Sequence, residues 1–139
     1  KLLGLDNMAR QQMDKFIFDD IFNIPGNHWF PWKRFQTKTA NYSIVANDNF
    51  SMFDNTGAGG TVVLTLPAIA NGYLFGLRAQ AAQILRFTSN EGDNIVASAD
   101  ASATSVSVTA IGGVIYIYSN PAGTKWIVEQ HGTQTITFA

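Results

Sequence analysis

The stretch Phe53-Asp54-Asn55-Thr56-Gly57-Ala58-Gly59-Gly60-Thr61-Val62-Val63-Leu64-Thr65-Leu66-Pro67 decides the fold class. Its first half is a turn rich in Asn and Gly, residues that accept a positive φ at little steric cost. Its second half alternates. Val62, Leu64 and Leu66 fall on one face and Thr61, Val63 and Thr65 on the other, the period-two signature of a strand with one face on a core. Pro67 has no N–H to give to a ladder, so the strand ends there.

Working outward, the same pattern repeats downstream. Strands are expected at 42–46, 49–53, 61–66, 73–79, 83–88, 94–97, 105–109, 114–119, 125–130 and 133–138. Turn signals separate them: Asn47-Asp48, Asn71-Gly72, Asn90-Glu91-Gly92-Asp93, Gly112-Gly113 and Asn120-Pro121-Ala122-Gly123. Short strands at about ten-residue spacing, with no alternation of strand and helix, predict a mainly β protein, an antiparallel sandwich or barrel. Residues 97–107 are nearly all Ala, Ser, Thr and Asp, which reads as a loose loop or as an edge segment too polar to template aggregation.

Upstream the chain differs in kind. Asp6 or Asn7 can cap a helix, and Met8, Ala9, Met13, Phe16, Ile17, Ile21 and Phe22 recur at three- and four-residue spacings to make an apolar stripe. Such a helix over 6–22 is about 25 Å long and stops before Pro25-Gly26. It needs a surface to lie on, either its own β-domain or a neighbouring subunit. Its polar face is acidic, which disfavours a membrane surface.

The segment from His28 to Phe35 fits neither a helical nor a strand period. Ordering about 20 residues costs on the order of 20 kcal/mol. Burying its four aromatics, Trp29, Phe30, Trp32 and Phe35, at roughly 200 Å² each returns about 20 kcal/mol as an upper bound. The two nearly cancel. Residues 1–40 therefore read as a helix and aromatic arm whose order depends on what it lies against, and 41–139 as the β-domain. The candidate partner-binding anchors of the arm are Phe16, Phe18, Phe22, Trp29, Phe30, Trp32 and Phe35.

Composition narrows the function classes. The 139 residues suit one core, and charged residues make up 14% against roughly a quarter in an ordinary domain, a surface fit for contact with protein. With net charge −1 and nine thinly spread basic residues there is no electrostatic footprint for nucleic acid. Lys33, Arg34 and Lys38 interleave with Trp32 and Phe35, but three charges make a weak groove for a single strand. No cysteine is present, so disulfides, thiolate metal sites and cysteine nucleophiles are excluded. No run approaches the ~18 apolar residues of a membrane span. The sequence opens on Lys1, as expected of a processed chain or a piece of a longer one.

No motif carries chemistry. Asp54-Asn55-Thr56-Gly57 lacks the Asp directly before Thr-Gly, and the second copy, that an aspartic-protease dyad needs. Ala58-Gly59-Gly60 lacks the Gly-Lys-Ser/Thr of a phosphate loop. His28 and His131 are too few for a histidine zinc site, and no nucleophile elbow accompanies them. Asn90, Glu91, Asp93 and Asn94 could offer oxygens to calcium, although such a cluster is more often a solvated turn. Tyr73, Phe75, Tyr116, Tyr118 and Trp126 could stack on sugars, but at alternate strand positions they more often pack a core or a sheet face. The expectation is no enzyme, no metal and no cofactor.

Taken as an ordered set, 53–58, 61–67, Gly76-Leu77-Arg78-Ala79-Gln80-Ala81-Ala82-Gln83-Ile84-Leu85-Arg86-Phe87, Gly92-Asp93-Asn94-Ile95 and Lys125-Trp126-Ile127-Val128 resemble a module of tailed-bacteriophage virion proteins. The likeness covers about 42–130, and members serve as head-decoration proteins, head fibres or tail fibres. It implies a jelly-roll-like or β-tulip-like domain, no enzymatic activity and assembly as a homotrimer on the virion surface. The expected function is capsid decoration: the β-domain trimerises on the outer shell, and the arm clamps major capsid protein or other virion subunits. The alternative is a tail-fibre or tail-spike domain that attaches to the virion or binds a host glycan. A glycan hydrolase ranks last, since it needs paired carboxylates in a cleft.

Overall fold

The computed structural model describes residues 23–24, 28–29, 31–92, 94–96 and 102–139, and the chain divides into two compact units, Lys1–Trp32 and Lys33–Ala139. The helix expected over 6–22 lies outside the described residues. In the smaller unit β1 (Asn23–Ile24) pairs antiparallel with β2 (His28–Trp29), so part of the segment read as irregular is strand.

The larger unit is mainly β. Its strands are β3 (Arg34–Thr37), β4 (Tyr42–Ser43), β5 (Ser51–Asp54), β6 (Val62–Thr65), β7 (Leu74–Arg78), β8 (Leu85–Thr88), β9 (Ile95–Val96), β10 (Ser102–Ala103), β11 (Ser105–Val108), β12 (Val114–Ser119), β13 (Trp126–Gln130) and β14 (Ile136–Phe138). A seven-stranded sheet has the order β10-β9-β13-β12-β7-β5-β3, and a five-stranded sheet the order β14-β11-β8-β6-β4. Each of the ten expected strands overlaps one of these. β3, read as part of the arm, and β10, in the stretch read as a loose loop or an edge segment, are additional strands.

Both sheets are mixed, which corrects the antiparallel expectation. β3, β5 and β7 are parallel neighbours in one sheet, and β4, β6 and β8 are parallel neighbours in the other. From β3 to β8 each successive strand changes sheet, so the chain winds around the core. Parallel neighbours need a long crossover, commonly a helix. Here the crossover between β5 and β7 contains β6, a strand of the opposite sheet. The later strands add antiparallel pairs, β12 with both β7 and β13, and β11 with both β8 and β14, while β9 runs parallel to β13.

The inner faces share one core. Phe53, Phe75, Leu77, Ile95, Ile115, Ile117 and Trp126 from the larger sheet meet Val62, Leu64, Leu85, Phe87, Val106 and Val108 from the smaller, all fully buried. The Tyr73 and Trp126 rings stack at 6.0 Å with Phe75 beside Trp126 at 6.1 Å, so of the candidate sugar platforms these pack the interior. The turns end where Asn-Gly chemistry placed them: Gly57, Gly72, Gly92, Gly112 and Gly123 all have positive φ.

The outer face of the five-stranded sheet is hydroxyl-rich. Register sets Ser43, Thr65, Thr88 and Ser105 in one cross-strand row. The next row holds Val63, Arg86, Ser107 and Thr137.

Candidate docking face

The outer face of the seven-stranded sheet has the opposite character. Alternation turns Phe53, Phe75, Leu77, Ile115 and Ile117 inward, so their neighbours along each strand point out. One cross-strand row reads Phe35, Met52, Gly76, Tyr116 and Glu129. The adjacent row reads Leu74, Tyr118, Ile127 and Val96. Phe50 borders Leu74, to whose carbonyl its N–H donates at 2.9 Å. Phe35 is 68% exposed, whereas Met52 is buried and the Tyr116 and Tyr118 rings are half-buried.

Polar groups gather at the margin. Thr37 donates its hydroxyl to the Asp54 carboxylate at 3.1 Å to either oxygen. The Lys33 ammonium lies 5.3 Å from the Phe50 ring centroid. His131 stacks on Tyr116 at 3.8 Å, and its Nε2 sits 3.2 Å from Glu129 Oε1. Burial pushes the Tyr118 phenol up, and its hydrogen bond to the Glu129 carboxylate pushes it further, so the hydroxyl stays protonated as a donor. An apolar centre with a polar rim is the anatomy of a protein interface.

Of the seven anchors expected in the arm, Phe35 alone belongs to the larger unit, on β3. Trp29 lies in β2 and Trp32 ends the smaller unit, while Phe16, Phe18, Phe22 and Phe30 lie outside the described residues. Met52, Tyr116 and Tyr118 complete the face around Phe35 and were not among the expected anchors. Their signal was present as the outward half of each strand's alternation.

The loops weighed for chemistry serve the fold. Asp54 caps its own turn by accepting from the Thr56 N–H at 2.9 Å. In the candidate calcium loop, Glu91 accepts from the Ile69 N–H at 2.7 Å and Asn94 accepts from the Ser89 hydroxyl at 2.6 Å, and Asp93 lies outside the described residues. Among the described residues no group of three or more His, Asp or Glu side chains could hold a metal, and no helix is long and apolar enough to cross a membrane.

Two hubs escaped the sequence reading. Asp48, in the 3₁₀ turn Ala46–Asp48, is nearly buried. It accepts from the Tyr42 hydroxyl at 2.7 Å, the Gln36 amide at 2.9 Å and the Val45 N–H at 3.0 Å. Burial raises its carboxyl, but the Val45, Gln36 and Tyr42 bonds and the Arg34 charge outweigh that and hold it below its ordinary value. The second hub, Asn55, sits wholly buried after β5. Compared with known families and curated proteins, the sequence matches no family model and no curated protein.

Proposed function

We propose that this chain is a structural protein of a tailed-bacteriophage virion, a capsid decoration or cement protein without enzymatic activity. In this reading the β-domain, of jelly-roll-like or β-tulip-like kinship, trimerises on the outer shell. The N-terminal segment, with its expected helix, and the Phe35 face together engage capsid subunits. The observation that carries the reading is the exposed Phe35 at the edge of an apolar sheet face rimmed by polar groups. A ring of this size exposed beside Met52 suits an anchor for a pocket on a partner. The sequence resemblance supplies the virion context, and the low charge of the chain suits packing against protein.

The test is the copy number of the protein in purified virions, by quantitative mass spectrometry, together with binding of full-length Phe35→Ser to capsids that lack it. Decoration requires a copy number comparable to that of the major capsid protein and binding weakened at least about tenfold, the loss expected of a hot-spot aromatic. A handful of copies per particle with binding unchanged by Phe35→Ser would give the tail-fibre or tail-spike alternative the lead.

A further inference from the structure

Among the described residues of the two outer rows of the smaller sheet, Arg86 is the one cation. Arg86 stands on β8, between β6 and β11, with Val63 opposite on one side and Ser107 on the other. Its Nε is buried and has no hydrogen-bond partner. A guanidinium has five donors and no acceptor. The Nε is closed to solvent and out of reach of an outside ligand, so the terminal Nη groups present the charge, and the two outer rows contain no carboxylate to answer it. The charge is therefore complementary to an anion supplied from outside these rows.

The surroundings define the anion. Six of the eight residues in the two rows carry hydroxyls, each able both to donate and to accept. Ser105 and Ser107 form a nearly buried floor, whereas Ser43 and Thr137 are exposed at the margins. Val63 is the one apolar residue in the rows, so the face lacks the aromatic and aliphatic centre of a protein interface. A two-fold pairing of this face with a second copy, centred on the sheet, would set Arg86 toward its own mate, like charge against like. An occupant with one carboxylate and many hydroxyls satisfies both the guanidinium and its surroundings.

We propose that the outer face of the five-stranded sheet binds carboxylated saccharides, sugars of the uronic or sialic acid type. The two Arg86 Nη groups take the carboxylate in bidentate fashion. The Thr65, Thr88 and Ser43 hydroxyls exchange hydrogen bonds with the ring hydroxyls. The inference goes beyond the decoration reading and uses the opposite sheet, so either can fail without the other.

Calorimetric titration of the full-length protein tests it, with alginate oligosaccharides as the uronic arm, polysialic acid as the sialic arm and dextran as the neutral control. Saturable binding of at least one carboxylated probe with a Kd of about 1 mM or tighter is expected, with none for dextran. Arg86→Gln should weaken that binding at least about tenfold, the scale of a charge-assisted bond, with an unchanged melting temperature. Should Arg86→Gln fail to fold, Arg86→Lys decides, because it keeps the charge and loses the fork. Weaker binding by Arg86→Lys supports the site, and undiminished binding overturns it. Failure of both carboxylated probes to bind, equal binding of dextran, or undiminished binding by folded Arg86→Gln also overturns it.

Discussion

Asn55 ties the turn after β5 to the 80–83 segment through one side chain. Its Oδ1 accepts from the Gln80 and Ala81 N–H groups at 2.7 and 2.9 Å, and its Nδ2 donates to the Ala81 and Gln83 carbonyls at 3.4 and 3.3 Å. Asn55→Ala orphans two backbone donors and is expected to cost about 2–3 kcal/mol, read as a fall in Tm of the order of ten degrees. Asp48 gives a pH signature. Its folded-state value lies below the ordinary aspartate value of 3.8, so its contribution is fully present above that value and is lost as pH falls through the folded one. The Tm advantage of the native protein over Asp48→Asn should therefore be full at neutral pH and shrink on acidification below about pH 4. Neither hub was legible in sequence, where both residues read as ordinary turn formers. What separates them from Asn71 or Asn90 is burial, which depends on where the turn lands in three dimensions.

At the scale of elements, the sequence marks where the chain turns but not into which sheet it turns. Val62-Val63-Leu64-Thr65 announces a strand, and Gly57 and Gly72 bracket it, yet nothing local says that β6 leaves its predecessor's sheet. β3 was missed for a different reason. Its polarity is inverted, with Gln36 turned inward to donate to Asp48 and Ser51 at 2.9 and 3.0 Å and Phe35 turned outward. A pattern search that expects apolar residues inside reads such a strand as noise. The return from β13 shows a contact that only glycine permits. A Cβ on Gly132 would lie 2.8 Å from the Gly112 carbonyl oxygen and 3.1 Å from the Val114 nitrogen. Gly132→Ala is expected to destabilise by about 1–3 kcal/mol because backbone must move. Gly59→Ala, which meets nothing within 4 Å, should leave thermal stability within about 1 kcal/mol of the parent in the same melts.

For the whole molecule, the unit boundary sets where a truncation can be made. Residues 33–139 keep every strand of both sheets, whereas 41–139 lack β3, whose four residues pair with β5 from Arg34 opposite Ser51 to Thr37 opposite Asp54. The 33–139 protein is expected to melt cooperatively near the temperature of the full chain. The 41–139 protein loses Gln36 from the Asp48 cluster and uncovers the β5 edge, and should melt lower and aggregate more readily. Differential scanning calorimetry with light scattering distinguishes the two. Under the decoration reading, 33–139 also retains the Phe35 face while losing the anchors of the smaller unit, so any residual capsid affinity measures what that face contributes alone.

The alternation of successive strands between sheets also governs the order of folding in time. From β3 to β8, strands that adjoin in a sheet are separated by a full turn of chain, so their pairing must wait for a long loop to close before contacts repay it. β12 and β13 are different. Five residue pairs from Ile115 opposite Gln130 to Ser119 opposite Trp126 form across one tight turn, whose Asn120 accepts from the Thr124 and Lys125 N–H groups at 2.8 and 3.1 Å. This hairpin can form early and carries Trp126, the largest side chain of the core. During synthesis it emerges after β3 to β8, so Val62, Leu64, Leu85 and Phe87 wait until then for Ile115, Ile117 and Trp126 of the shared core. A late nucleus makes the yield of folded protein sensitive to how long the nascent chain is kept from its neighbours.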